Sequence, residues 1–333
     1  MMKTDTVTSF FNRTPLRLPV VAAPMFLVSG PELVLEACKA GIVGAFPTPN
    51  ARPIETLESW LLSITEGLRA HRQAHPDAIV GPWAANVVTH SSNARLSQDL
   101  ALIEKHQPPI VITALGSPKP ALEVVHGYGG IVLADVVNLR LAKKAADAGV
   151  DGLACVSAGA GGHTGWMSPF AFVRALREFF DGIVVIGGGI ADGYSVAGAT
   201  MAGADLVYMG TRFIPTQESM ASPAYKQMLI DSTAEDLVIS SGITGTPASW
   251  LKPSLRAAGL DPDDLPPTPP RNYDSNRSFT QRKWVDTWTA GQGVGAIKRI
   301  SPVAAVVDEL EREYGEATRQ WRRFGQRAAE TAL

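Results

Sequence analysis

VDGLACVSAGAGGHTG (Val150–Gly165), GIVVIGGGIADG (Gly182–Gly193) and ADLVYMGTRFI (Ala204–Ile214) follow one another along the chain with an amphipathic segment between each pair. Each holds a short run rich in Val, Ile and Leu that ends in a glycine-dense turn. Runs of this kind read as strands covered on both faces, and the segments between them have helical length and period. Successive strand, loop and helix units build a parallel sheet whose functional loops share one end. His163 stands among Gly159, Gly161, Gly162 and Gly165, where backbone can lie against a flat ligand without Cβ atoms in the way. Gly187, Gly188 and Gly189, and then Gly210 with Thr211, leave two consecutive strands. They are expected to offer backbone N–H groups where helices begin, a setting that holds phosphate. In a (β/α)8 barrel the phosphate site lies in the loops after strands seven and eight.

Upstream the same alternation continues. Leu18 to Met25 (LPVVAAPM) reads as a buried first strand, and Ser29 as the cap of a helix over Pro31 to Lys39. Further strands are expected at 42–46, 82–88, 109–115, 130–136 and 150–156, then at 183–186 and 206–209. Helices are expected at 53–71, 96–106, 118–128 and 139–148, with a last one at 302–327. Eight strand candidates, each followed by a helical segment, fill the first 230 residues or so. The fold expected is therefore α/β, a (β/α)8 TIM barrel. A doubly wound open sheet would carry its glycine fingerprint after the first strand, whereas here the glycines come late.

The period is lost past Thr233. TGTPASWLKPSL (Thr244–Leu255), a proline cluster over Pro262–Pro270, and Trp250, Trp284 and Trp288 read as a small lid or substrate subdomain over 233–290, with the barrel formed by 1–232 and 291–333. The other reading is a side appendage or an oligomer contact, and a homodimer is carried as an expectation. The N-terminus reads as a polar leader. His71, His75, His90, His106 and His126 fall on predicted helices or their ends and read as solvated.

A chain of 333 residues accommodates the roughly 250 of such a barrel plus an insertion. A net charge of −2 with scattered Lys and Arg leaves no basic stripe for nucleic acid. Only Cys38 and Cys155 are present, both in apolar surroundings, so neither a disulfide framework nor a thiolate metal site is expected, and a reducing cytoplasm is the expected compartment. No apolar run approaches the ~20 residues of a membrane span, and the first residues lack the pattern of a secretion signal.

AAPM (Ala22–Met25), Asn86 at a strand end, AGGHTG (Ala160–Gly165), GGGIADG (Gly187–Gly193), MGTRF (Met209–Phe213) and AGQGVG (Ala290–Gly295) occur in this order. In this set the chain resembles the nitronate monooxygenase family, formerly 2-nitropropane dioxygenases, which are FMN-dependent (β/α)8 barrels, over about Pro19 to Ile300. FMN-dependent enoyl-acyl-carrier-protein reductases share the motifs. The resemblance implies that Ala23, Pro24 and Met25 border the isoalloxazine ring, that Asn86 hydrogen-bonds it and that Gly161 lies against it. It also implies that Gly188, Gly189, Gly210 and Thr211 hold the phosphate and that Gln292 reaches the flavin. His163 matches the catalytic histidine beside the ring, a group able to take the acidic proton next to a nitro group or to hydrogen-bond a nitronate.

The activity so implied is oxidation of alkyl nitronates by O2 to carbonyl compound and nitrite, with a nitronate or nitroalkane as substrate and no metal. The alternatives are an NAD(P)H-dependent FMN enoyl-thioester reductase and a non-catalytic flavin-binding barrel. Two positions depart from the family pattern. Gly159 replaces a carboxylate four residues before the histidine, and Asp135 falls where some members carry lysine. An inward carboxylate there would disfavour an anionic substrate.

Overall fold

A computed structural model describes residues 4–268 and 287–331, with side chains within 8–323 of that span. Eight parallel strands close into a barrel: β1 (Val20–Ala22), β2 (Val43–Pro47), β3 (Trp83–Val88), β4 (Ile110–Ala114), β5 (Ile131–Val136), β6 (Gly152–Val156), β8 (Ile183–Gly187) and β9 (Leu206–Met209). Closure is made by β1 against β9, with Val21 opposite Tyr208. Two-residue β7 (Gly162–His163) stands outside the barrel. Helices α2 (Pro31–Lys39), α3 (Ile54–Ala74), α4 (Leu96–His106), α5 (Lys119–Gly127), α6 (Leu139–Ala148), α7 (Pro169–Arg177) and α8 (Gly193–Met201) connect the strands.

Strand period divides the core in two. One parity of each strand (Val20, Phe46, Val87, Val132, Leu153, Val184, Val207) packs outward on helix residues such as Leu33, Leu57, Ile64 and Phe172. The other parity (Val21, Ala45, Ala84, Ile112, Leu133, Ala154, Val185, Leu206) fills the inside, as successive side chains on a strand point to opposite faces.

The first strand is shorter than the sequence suggests. Pro24 cannot donate to a ladder, and the Met25 N–H bonds instead to the Ser29 hydroxyl at 3.0 Å, so the chain leaves the sheet after Ala22. The polar leader is in fact a helix, α1 (Thr4–Arg13). Its Phe10, 5% exposed, joins the interior cluster and stoppers the barrel at the end away from the functional loops. The aromatic pair Phe10-Phe11 was the available signal.

Past the barrel, α9 (Pro223–Asp231) leads to β10 (Leu237–Ser240) and β11 (Ala248–Leu251), an antiparallel pair followed by α10 (Lys252–Ala257). Fully buried Trp250 packs among Ile243, Ala248 and Leu255, and its Nε1 donates to the Ser240 carbonyl at 3.3 Å. A second apolar cluster joins Leu251, Trp288, Ala290 and Val294 to Val28, Ile214 and Tyr225, with Tyr225 and Trp288 stacked at 5.1 Å. Trp284 and the end of the proline cluster, Pro269 and Pro270, lie outside the described residues. The C-terminal helix Val303–Thr331 lies along α8 and α2.

Candidate active site

The segment after β1 is held by two side chains that the sequence reading did not assign to it. Ser29 was expected to cap α2, but Gly30 is the N-cap and no side chain bonds there. The Ser29 hydroxyl instead donates to the Ala23 carbonyl at 3.1 Å while accepting from Met25. Asn50, just past β2, donates to the carbonyls of Met25 (3.0 Å) and Ser29 (2.8 Å), and its Oδ1 accepts from the Leu27 N–H (2.8 Å). Leu27 has φ +60°, a strained setting for a branched side chain, and the Asn50 amide supports it. Ala23, Pro24 and Met25 are thereby fixed at the mouth of the barrel, with the Met25 sulfur 3.5 Å from where a Cβ on Gly210 would stand. No signal beyond an asparagine next to a strand end pointed to Asn50.

The topmost inward layer is polar. Asn86, Asp135 and Tyr208 each lie two residues beyond an interior apolar residue (Ala84, Leu133, Leu206) and share its face. The Asn86 Nδ2 donates to the Ile112 carbonyl at 3.2 Å and reaches Asp135 Oδ2 at 3.4 Å, and the Tyr208 hydroxyl reaches Asp135 Oδ1 at 3.4 Å. Both contacts to the carboxyl are long for hydrogen bonds. Loss of solvation therefore outweighs them, and burial pushes the Asp135 carboxyl up to about 7. Burial, with Asp135 beside it, also holds the Tyr208 phenol neutral, well above its ordinary range. Tyr208 escaped notice in the sequence, although its phase with Leu206 already pointed it inward.

His163 sits on β7, which pairs antiparallel with β11, Gly162 opposite Ser249 and His163 opposite Ala248. The loop before it is pinned from several sides. Ala158 N–H bonds the Met167 carbonyl (2.7 Å), Thr164 N–H the Pro247 carbonyl (3.0 Å), and the Thr164 hydroxyl the Ser157 carbonyl (3.1 Å). The Ser157 hydroxyl, also unassigned from sequence, bonds the Gly187 carbonyl and so joins the His163 loop to β8.

The late glycine loops converge on this loop. The Gly291 N–H donates to the Thr211 hydroxyl at 2.9 Å, and a Cβ on Gly161 would stand 2.7 Å from Gly291 N and 3.0 Å from that hydroxyl. Gly161 is therefore required by the approach of the 290–291 backbone. Gln292 donates its N–H to the Gly159 carbonyl at 2.9 Å. Gly159 has φ +86°, and a Cβ there would lie 2.8 Å from Gln292 Oε1, so this chain has no place for a carboxylate at 159.

Gly188 has φ +144° and the Ser157 hydroxyl and Ala158 carbonyl crowd its Cβ position, whereas Gly189 faces open space. The expectation of open helix starts needs correcting. The Gly189 N–H is bonded to the Gly159 carbonyl at 3.0 Å. The first turn of α8 is capped by Asp192, which accepts from Ser195 N at 2.7 Å, and by Glu313, which accepts from Gly193 N at 2.8 Å. Those carboxylates occupy the amides at the start of α8 and leave a phosphate to the strand ends before it. Gly188, Gly210 and Thr211 remain at the ends of the adjacent strands β8 and β9, with a single 3₁₀ turn, Thr211–Phe213, beginning there. A cavity of about 430 Å³ lies beside the Gly159–Gln292 contact, lined also by Leu237, Ile239, Ser249 and Lys252 of the β10–α10 segment.

The other titratable groups stand apart. Cys38 and Cys155 are free and buried, and burial pushes the Cys38 thiol up to about 12. His126 pairs with Asp151 at 2.8 Å. His106, expected in solvent, has a side chain only 8% exposed, and burial lowers its pKa. Among the described residues no three His, Cys, Asp or Glu side chains gather as for a metal, and no helix is long and apolar enough to cross a membrane.

A (β/α)8 barrel whose loop-bearing end gathers glycine turns, a polar inward layer and His163 has the framework of a barrel enzyme. Residues 9–313 match the family model described as nitronate monooxygenase, and the chain belongs to that family and is an enzyme. It is 30% identical to a nitronate monooxygenase of Paraburkholderia phytofirmans, over 92% of this chain and 94% of that one. Among solved structures, the nitroalkane oxidase of Streptomyces ansochromogenes superposes with TM-score 0.77 at 22% identity, over 94% of this chain and 99% of that one. FabK of Thermotoga maritima gives 0.73 at 23% identity, over 95% and 98%.

Proposed function

We propose that the protein binds FMN at the barrel mouth and oxidises alkyl nitronates with O2 to a carbonyl compound and nitrite, in a reducing cytoplasm. The observation that supports this most is the convergence on one spot of the Ala23–Met25 segment, the β8 and β9 ends at Gly188, Gly210 and Thr211, and the His163 loop. The donor set suits a mononucleotide. Gly188, Gly210 and Thr211 hold the phosphate, with Gly189 contributing room in place of its engaged N–H. Ala23, Pro24 and Met25 flank the ring, and Asn86 supplies a side-chain amide from the layer beneath it.

FMN, when bound, supplies the electron transfer. The protein's own groups bind, orient and handle the proton. Neutral His163 takes the proton from the carbon next to the nitro group, and His163 as imidazolium donates a hydrogen bond to a nitronate oxygen. The lid, tied to His163 by β11, keeps water from the mouth.

The test is anaerobic. The purified protein should be yellow and should release FMN, and its flavin absorbance should change on mixing with an alkyl nitronate but not with NADH. Bleaching by NADH without response to nitronate would replace this reading by the enoyl-thioester reductase, and a flavin silent to both would leave only a binding barrel.

A further inference from the structure

Asp135 has no part in the chemistry above, yet it is the one carboxyl in the topmost inward layer of the barrel. It faces the mouth from the floor, two residues beyond Leu133 on the same face of β5 and next to Asn86 and Tyr208. It keeps partial exposure although its neighbours are buried, Asn86 at 6% and Tyr208 at 8%.

We infer that Asp135 determines specificity by charge: as a neutral acid beneath the ring it leaves the mouth open to an oxyanion, and as a carboxylate it repels that anion.

The surroundings give this its direction. The groups that bear on Asp135 are the Tyr208 phenol on β9, the Asn86 amide on β3 and the buried Cys155 thiol on β6, which feels the charge of Asp135 in turn. None of them is a cation. Across the ladder on β6 stands Ala154. A lone carboxylate in such a place costs solvation that two neutral donors at 3.4 Å do not return, so the proton is retained to about pH 7. A nitronate is an anion with two acceptor oxygens. Below neutrality Asp135 carries no charge to oppose it, and above neutrality the two charges repel across a mouth whose low polarisability screens them weakly. Affinity for planar oxyanions should therefore fall as pH rises through neutrality.

The inference rests on the flavin reading, and the experiment separates the two. Nitrate, an oxyanion over the whole range, is titrated into the FMN-loaded protein at constant ionic strength between pH 5.5 and pH 8.5, with its Kd read from the perturbed flavin spectrum. Acetamide is the neutral control. In the limit where only the protonated form binds, the nitrate Kd rises about tenfold per pH unit above neutrality, while the acetamide Kd stays level. Asp135→Asn, which removes the charge, should bind nitrate with a fall shallower than the wild type's, and with a level profile when combined with His163→Ala, which removes the other group that titrates in this range. Tyr208→Phe, which removes one donor to the carboxylate and leaves its charge, should keep the fall and move it to higher pH. A level wild-type nitrate profile, an absence of nitrate binding, or an unchanged profile in a folded yellow Asp135→Asn overturns the role of Asp135 while leaving the flavin site standing. A protein that takes up no FMN overturns both.

Discussion

At the scale of single residues, the useful distinction is between glycines that the protein itself requires and a glycine that it does not. Gly161 and Gly188 are demanded by backbone approaching to 2.7 and 2.4 Å of a Cβ position. Gly210 is not: its φ is −95° and its nearest neighbour would be the Met25 sulfur at 3.5 Å, an ordinary contact. Gly210→Ala should therefore fold with an unchanged melting temperature as apoprotein and lose FMN affinity by about tenfold or more, measured by fluorescence quenching, because a methyl then stands where the ligand approaches. His163→Ala should keep FMN bound and lower turnover on nitronate by ~10²-fold or more, the ordinary loss for a positioned acid-base group; unchanged turnover would remove the imidazole from the mechanism. Asp135 has a stability consequence of definite sign. Its folded pKa lies above the unfolded one, so the native state holds the proton longer. The favourable contribution is complete below about pH 4 and is lost as pH rises toward 7. Asp135→Asn should raise the apoprotein melting temperature at pH 8 by a few °C relative to its effect at pH 5, as read by calorimetry.

Elements were more legible than contacts. Helices at 96–106 and 139–148 and the strand at 206–209 stand where period and length put them, because each carries an unbroken pattern and a clear end. Strand one was overextended, since LPVVAAPM is apolar throughout and the hydrogen bonds that pull Pro24 and Met25 out of the ladder come from Ser29 and Asn50, residues with no periodic signature. Strands β10 and β11 carry no sequence signal for a related reason. They are four residues each, and their partner β7 is a glycine and a histidine whose strand character exists only because Ser249 and Ala248 lie opposite. Trp250 anchors this small sheet. Trp250→Ala removes a fully buried ring, a change that costs ~3–5 kcal/mol where the site does not collapse. The expected outcome is rapid proteolytic cleavage in the 240–260 region with the barrel's circular dichroism retained and turnover lost; a segment as resistant to protease as the wild type would refute its dependence on this residue.

For the molecule as a whole, eight strand and helix units are a count that sequence yields directly, whereas the closing of the barrel at its two ends is not. Phe10 enters from a helix that composition alone marked as leader, and the C-terminal helix is fastened by contacts hundreds of residues apart in sequence. Arg17 bonds Asp308 at 2.9 Å and Glu311 at 2.5 Å, Arg212 in the β9 turn bonds Glu309 at 2.7 Å, and Gly193 lies so close that a Cβ would meet the Leu310 carbonyl at 2.3 Å. Gly193→Ala should push this helix off α8 at a cost of about 1–3 kcal/mol, lowering the melting temperature by several °C with FMN still bound in the folded fraction; no change in melting temperature would mean that the helix seats elsewhere. The candidate site divides in the same way. Its glycines and histidine were readable as motifs, while the occupation of the α8 amides by Asp192 and Glu313 depends on a residue from the far end of the chain.

The pairing of β7 with β11 joins the backbone of His163 to the strand that carries Trp250. A displacement of β11 would therefore carry the backbone of His163 with it.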